Sequence, residues 1–319
     1  MKKFLLFIIY LLIFIVFAEI LSFRVGLICI KKEFGIQEDI KYTYSLKKTF
    51  ELKEFFSSYN YSTNIKYSRP PVGLNYKTSP ITIFGCSFAY GQLLKINQTF
   101  GAKLSEQTKH PVYNVAIPGR GLSEMYFLST DNNFYKKIPP SNNVIYIFID
   151  DHYRRMLLPT FHTISIWQNY NYKYDKKNDK LIMTNYLPLN KIFSTSYFCR
   201  LINNYLTYKN INNPKNAEEL TDLALVYFIK TRENLEQKWN KKINFTVIFY
   251  EQYEHLYKDL LRKKLEQNGF VVIETMDITK EDLSNPKYKA EDFAHPSEAA
   301  WDLLTPMIIK ELNKKNVIL

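Results

Sequence analysis

A serine hydroxyl becomes a useful nucleophile only when a neighbouring base takes its proton, and that base works best when a third group fixes its tautomer. This chain offers three such side chains in two distant places. Ser87 follows an apolar run, Ile81-Thr82-Ile83-Phe84, that stops at Gly85 and delivers the hydroxyl into a loop. Asp292 and His295 stand three residues apart near the other end, in Asp292-Phe293-Ala294-His295-Pro296. Among the five histidines, only His295 has a carboxylate three residues before it. If the fold joins the two ends, Ser87 can attack an acyl carbon while His295 takes and returns the proton and Asp292 orients the imidazole. Taken singly, Ser87 also fits a turn serine capping the next helix, and Asp292 and His295 fit a surface acid and a helix-flanking imidazole.

Two further blocks stand between them. Asn114-Val115-Ala116-Ile117-Pro118-Gly119-Arg120-Gly121 follows a second apolar run, and Phe148-Ile149-Asp150-Asp151 ends a third. With Gly85-Cys86-Ser87-Phe88-Ala89-Tyr90-Gly91 first and Asp292 and His295 last, the four blocks resemble, in order, those of the SGNH (GDSL-like) hydrolase family. The likeness spans about residues 78–312. The resemblance implies a three-layer α/β/α, flavodoxin-like fold with about five parallel strands. It implies Ser87, Asp292 and His295 as the catalytic residues. It also implies an oxyanion hole made by the backbone N–H groups of Ser87 and Gly119 and by the side chain at position 150. Gly119 suits that role because a backbone without a Cβ can approach the substrate closely, and it suits a plain turn after Pro118 equally well.

Two positions depart from the family pattern. Cys86 replaces the Asp of the first block; that residue lies outside the triad, and its place before Ser87 suggests a buried small side chain rather than a nucleophile. Asp150 falls where the family has Asn, and an ionised carboxylate accepts hydrogen bonds but cannot donate them. Three outcomes are open: burial keeps Asp150 protonated, His152 or Arg154 supplies the donor, or the esterase activity has been lost.

Residues so far apart need a scaffold to meet. Apolar runs at 81–85, 112–116, 144–149, 245–250 and 270–274 read as strands, and their continuous apolar character argues for a sheet covered on both faces. Helix-compatible sequence after each run implies parallel crossovers, with the ligand site beyond the carboxyl ends of the strands. Ser87, Gly119 and Asp150 each follow such an end. Helices are expected at 216–240 with Asn216 as cap, at 251–268 stopping at Gly269, and at 297–315. Residues 152–215 are too many for a plain crossover and read as a cap over the active-site edge. Its aromatics, Trp167 and Tyr170 among them, either stack on sugar rings or pack a small core of their own.

Composition narrows the class. In 319 residues, 43 Lys and Arg against 31 Asp and Glu leave a net charge of +12, but the basic residues are scattered. No basic stripe or nucleic-acid module is present, so a nucleic-acid partner is not expected. Cys29, Cys86 and Cys199 lack metal-ligand spacing, and neither a disulfide framework nor a zinc site follows; no cofactor is expected. Gly26-Leu27-Ile28-Cys29 also lacks the small residue that precedes a lipidated Cys. Residues 4–18 are uninterruptedly apolar and Ile20, Leu21 and Phe23 extend them to about the roughly 20 residues that cross a bilayer. Ala18-Glu19-Ile20 offers little to a signal peptidase, so an uncleaved anchor is expected over 1–24, then a stalk over 25–79 and the hydrolase-like domain over 80–319. A short N-terminal tail normally stays cytoplasmic, which places the domain outside. The expected protein is a single-pass, extracytoplasmic serine esterase or O-acyltransferase for an acylated carbohydrate or other ester; the alternative is a catalytically degenerate glycan-binding module on the same fold.

Overall fold

The computed structural model describes residues 10, 13–21, 69–157, 172–183, 209, 211, 213–250 and 257–317. Its strands are β1 (Ile81–Phe84), β2 (Val112–Asn114), β3 (Asn143–Phe148), β4 (Tyr172–Asp175), β5 (Lys180–Met183), β6 (Asn244–Phe249) and β7 (Val271–Glu274). The five apolar runs all become strands of one sheet, in the order β2-β1-β3-β6-β7, and every neighbouring pair is parallel. This is the doubly wound, flavodoxin-like order, with its reversal between β1 and β3. β1 sits at that point, paired on one side through Ile81 and Val112 and on the other through Ile81 and Asn143.

The helices are α1 (Ser87–Tyr90), α2 (Phe100–Thr108), α3 (Leu122–Thr130), α4 (Asn132–Lys137), α5 (Asp151–Leu157), α6 (Ala217–Trp239), α7 (Lys258–Gln267), α8 (Thr275–Ile278) and α9 (Glu298–Lys314). Strand side chains alternate between two cores, as the period of 2 requires. Ile145 and Ile147 of β3 point to an aliphatic layer completed by α2 and α9, with Leu104, Trp301, Leu304 and Ile308. Val144, Tyr146 and Phe148 point to an aromatic layer completed by α3, α5, α6 and α7. Three layers result.

The helix ends follow local signals. α9 starts as expected, with the Ser297 side chain accepting from the Ala300 N–H. α7 stops at Gly269, whose φ of 76° is the left-handed conformation glycine adopts freely. α6 has Asn216 at its cap position, as expected, while the side chain that caps is Asn213, which accepts from the Lys215 N–H at the head of the tight Pro214–Asn216 turn leading into the helix. Proline at the first position of that turn makes Asn213 the natural place for a capping side chain.

Packing of the domain reaches back to Arg69, and Val72 forms an antiparallel bridge with Val112. The described part of the 152–215 insertion is α5, the β4–β5 hairpin and residues 209, 211 and 213–215. Tyr172 of β4 is buried edge-on against Tyr126 at 5.0 Å and Tyr227 at 6.3 Å, so this aromatic fills a core. Trp167, Tyr170, Cys29 and Cys199 lie outside the described residues. Of the expected anchor, residues 13–21 are helical, and Phe14, Phe17, Ile20 and Leu21 are exposed. Among the described residues no helix is long and apolar enough to cross a membrane; residues 1–9, 11–12 and 22–68 lie outside them.

Candidate active site

The turn from β1 into α1 depends on Gly85. Its φ is 144°, and a Cβ there would lie 2.8 Å from the Ala89 Cβ and 3.1 Å from the Ile147 carbonyl oxygen. That closeness lets the chain reverse sharply and present Ser87, only 5% exposed, at the carboxyl edge of the sheet. α1 ends at Gly91, in the left-handed conformation, whose N–H bonds the Ser87 carbonyl. Arg69 closes the same end. Its guanidinium lies 4.3 Å from the centre of the Tyr90 ring and donates to the carbonyls of Tyr90 (3.0 Å), Gly91 (2.6 Å) and Leu94 (2.9 Å). The last carbonyls of a helix lack partners within it, and a cation there satisfies both their lone pairs and their dipoles.

Asp292 and His295 share one tight turn. A bridge between Lys289 and Pro296 pinches its base, reinforced by the Ala290 N–H donating to the His295 carbonyl at 2.7 Å. Phe293 takes φ of 57° at its tip. One Asp292 oxygen, Oδ1, accepts from the N–H groups of Ala294 and His295, both at 3.1 Å. The other, Oδ2, bonds the His295 Nδ1. Burial pushes the Asp292 carboxyl up, but the hydrogen bond and charge of His295, together with the two backbone N–H groups, outweigh it and hold the pKa at about 2. A carboxylate at Nδ1 selects the tautomer that carries its proton there and leaves Nε2 as acceptor. The imidazole packs on Phe88, the residue after Ser87, with ring centroids 5.3 Å apart. Phe88 in turn packs edge-on against Tyr250 at the end of β6. The two ends of the chain meet here.

Gly119 is buried in the turn after β2, at φ of 75°. Asp150 is half-buried just beyond β3, and its carbonyl accepts from the Tyr153 N–H at 3.0 Å. His152 is fully buried, its ring 5.3 Å from those of Tyr146 and Phe148 and its Nδ1 3.0 Å from the Tyr146 hydroxyl. It belongs to the aromatic layer. Arg154 grips Asp151 at 2.6 and 3.0 Å.

No protein-family model and no curated protein matches this chain. Solved structures do. The chain is similar to GDSL lipolytic proteins. A lipase from a goat rumen metagenome superposes with a TM-score of 0.45 at 12% identity, over 73% of this chain and 97% of its own. A lipolytic protein of the G-D-S-L family from Veillonella parvula gives 0.41 at 11%, over 73% and 97%. A family two carbohydrate esterase from Clostridium thermocellum, solved with cellohexaose, gives 0.42 at 10%, over 76% and 65%. At such identities no residue role passes from them to this chain.

Two residues escaped sequence reading. Asn114 ends β2 with its Nδ2 donating to the Ala89 carbonyl at 2.7 Å and its Oδ1 accepting from the Ala116 N–H, so it ties the second block to the nucleophile turn. An Asn closing a strand is the only signal it leaves. Arg155 is the other, buried behind the same edge. Among the described residues, no group of His, Cys, Asp and Glu could hold a metal ion. What the edge presents is a serine on a constrained turn, an imidazole with its tautomer set by a carboxylate, and a buried left-handed glycine turn after β2.

Proposed function

We propose that this chain is a serine esterase or acyltransferase working through an acyl-Ser87 intermediate. The observation that carries the reading is the Asp292–His295 pair packed against Phe88, one residue from Ser87. Ser87 Oγ attacks an ester carbonyl while His295 Nε2 takes its proton. The negative charge moves to the carbonyl oxygen, where the N–H groups of Ser87 and Gly119 are the donors; loss of one such donor typically costs about 2.7–4 kcal/mol. The C–O bond breaks, His295 returns the proton to the leaving alcohol, and the acyl group stays on Ser87. Water or a sugar hydroxyl then attacks the acyl-serine with His295 again as base, giving hydrolysis or transfer.

Asp150 sets the second reading apart. A carboxylate where the resemblance puts an amide opposes a developing oxyanion, and that favours a non-catalytic module that binds glycan on the same fold. His152 lies in the aromatic layer and Arg154 is paired with Asp151, which supports a hole without either as the replacement donor. The esterase reading assigns the hole to the two backbone groups. Its substrate class is an acylated carbohydrate or other ester outside the cytoplasm, with the N-terminal helix as anchor.

A fluorophosphonate probe tests this directly. Wild-type protein should be labelled and Ser87→Ala should not. A folded wild type that stays unlabelled, or labelling that survives in Ser87→Ala, overturns the esterase.

A further inference from the structure

We propose that Arg155 is a positioning residue, a single buried guanidinium that holds the three site loops in one frame. The idea rests on the reading of Ser87 as nucleophile for its kinetic consequence, but its contacts stand without it. Arg155 lies on α5 and is 3% exposed. Its Nη1 donates to the Arg120 carbonyl at 2.6 Å, and its Nη2 pairs with Asp151 Oδ2 at 2.6 Å. It also hydrogen bonds the Cys86 side chain. These partners are not scattered: Cys86 precedes Ser87, Arg120 follows Gly119, and Asp151 follows Asp150. One side chain therefore touches the immediate neighbour of each of three proposed site positions.

A buried cation needs one countercharge, and Asp151, four residues earlier on the same helix, supplies it. The bonds to Arg120 and Cys86 exceed that need. They use the other arms of the planar fork, whose fixed geometry ties its partners together in a way an ammonium cannot. Gly121 packs against it: a Cβ there would sit in ordinary contact, 3.4 Å from the Arg155 Cβ and 3.5 Å from its Cδ. The replacement of a carboxylate by Cys86 in the first block fits the same frame. With the guanidinium already paired to Asp151, which it shares with Arg154, the arm facing the first block meets only a weak acceptor, and sulfur is one. Misplacement of a reacting group by about 1 Å can cost about 10²-fold in rate, so loosening this frame should be felt in turnover.

The test uses the full chain with Arg155→Lys and Arg155→Met. Hydrogen exchange is followed by peptide, and kcat and KM for p-nitrophenyl acetate are expressed per serine titrated with fluorophosphonate. Both variants should exchange faster at 85–91 and 118–122 while β6 and β7 keep their protection, because local opening is read separately from global unfolding. kcat per titrated serine should fall about 100-fold with KM within about threefold. Unchanged exchange in both loops, uniform acceleration along the whole chain, or kcat within about threefold of wild type overturns the proposal. If wild type itself fails to label at Ser87, the esterase falls, and the exchange pattern alone decides on Arg155: faster at both loops supports it, unchanged overturns it. If neither variant folds, Cys86→Ala removes one contact only. Faster exchange confined to 85–91 then supports the frame, and no change there overturns it.

Discussion

Asp292 does two things with one carboxylate, and they separate by pH. Its pKa of about 2 in the fold lies below the ordinary value of about 3.9. A depressed carboxylate stabilises the folded state at pH above its unfolded value and loses that contribution as pH falls through the folded one. Wild type should therefore melt higher than Asp292→Asn at pH 7, and the difference should close between about pH 4 and pH 2. A difference that holds constant across that window would show that the carboxylate is not held by charge. At neutral pH the same variant should lose turnover by up to about 10⁴-fold, because an amide no longer selects the Nδ1–H tautomer. This pair was legible in the sequence since its spacing puts both groups in one turn. Arg155 was not: apart from Asp151, four residues earlier on its own helix, its partners come from two other loops, and no spacing along the chain brings those together.

At the scale of elements, the sharpest constraint is the passage from β1 into α1. Gly85→Ala combines a φ of 144° with a Cβ 2.8 Å from another Cβ and 3.1 Å from a backbone oxygen. Gly269→Ala meets only a φ of 76°, its nearest neighbour being the end of the Arg232 side chain at 3.7 Å. Strain of backbone alone costs of order 1–3 kcal/mol, and overpacking adds about 1–3 more. Urea denaturation should show Gly85→Ala destabilised by at least about 1 kcal/mol more than Gly269→Ala; equal costs would mean the β1–α1 turn yields without strain. The strands around this turn were readable because both faces of the sheet are covered, which leaves continuous apolar runs at 144–149 and 245–250. The start of α6 at Asn216 was readable too, but not the Pro214–Asn216 turn ahead of it, whose capping side chain is Asn213. The β4–β5 hairpin was hidden too: the aromatics of the 152–215 insertion fit sugar stacking or a small core of their own, and only with Tyr126 and Tyr227 alongside do Tyr172 and Leu181 become part of the main aromatic core.

For the whole molecule, the question is what holds it where it works. The membrane attachment proposed above could rest on either of two features, a net charge of +12 or an apolar N-terminus. The helix at residues 13–21 leaves Ile13, Phe14, Val16, Phe17, Ile20 and Leu21 exposed to solvent. Moving that surface into lipid gains roughly 25 cal/mol per Å². Charge attraction, by contrast, is screened within about 8 Å at physiological salt. None of the contacts of the site or of the strand sheet involves residues before Arg69 among those described. Removing residues 1–24 should therefore move the protein from the membrane fraction to the soluble one while Ser87 labelling stays unchanged. Full-length protein should resist washing with 1 M salt, where the Debye length falls to about 3 Å, and come off only with detergent. Release by salt alone would assign the attachment to scattered Lys and Arg instead, since lipid burial is not weakened by screening and ion pairing is.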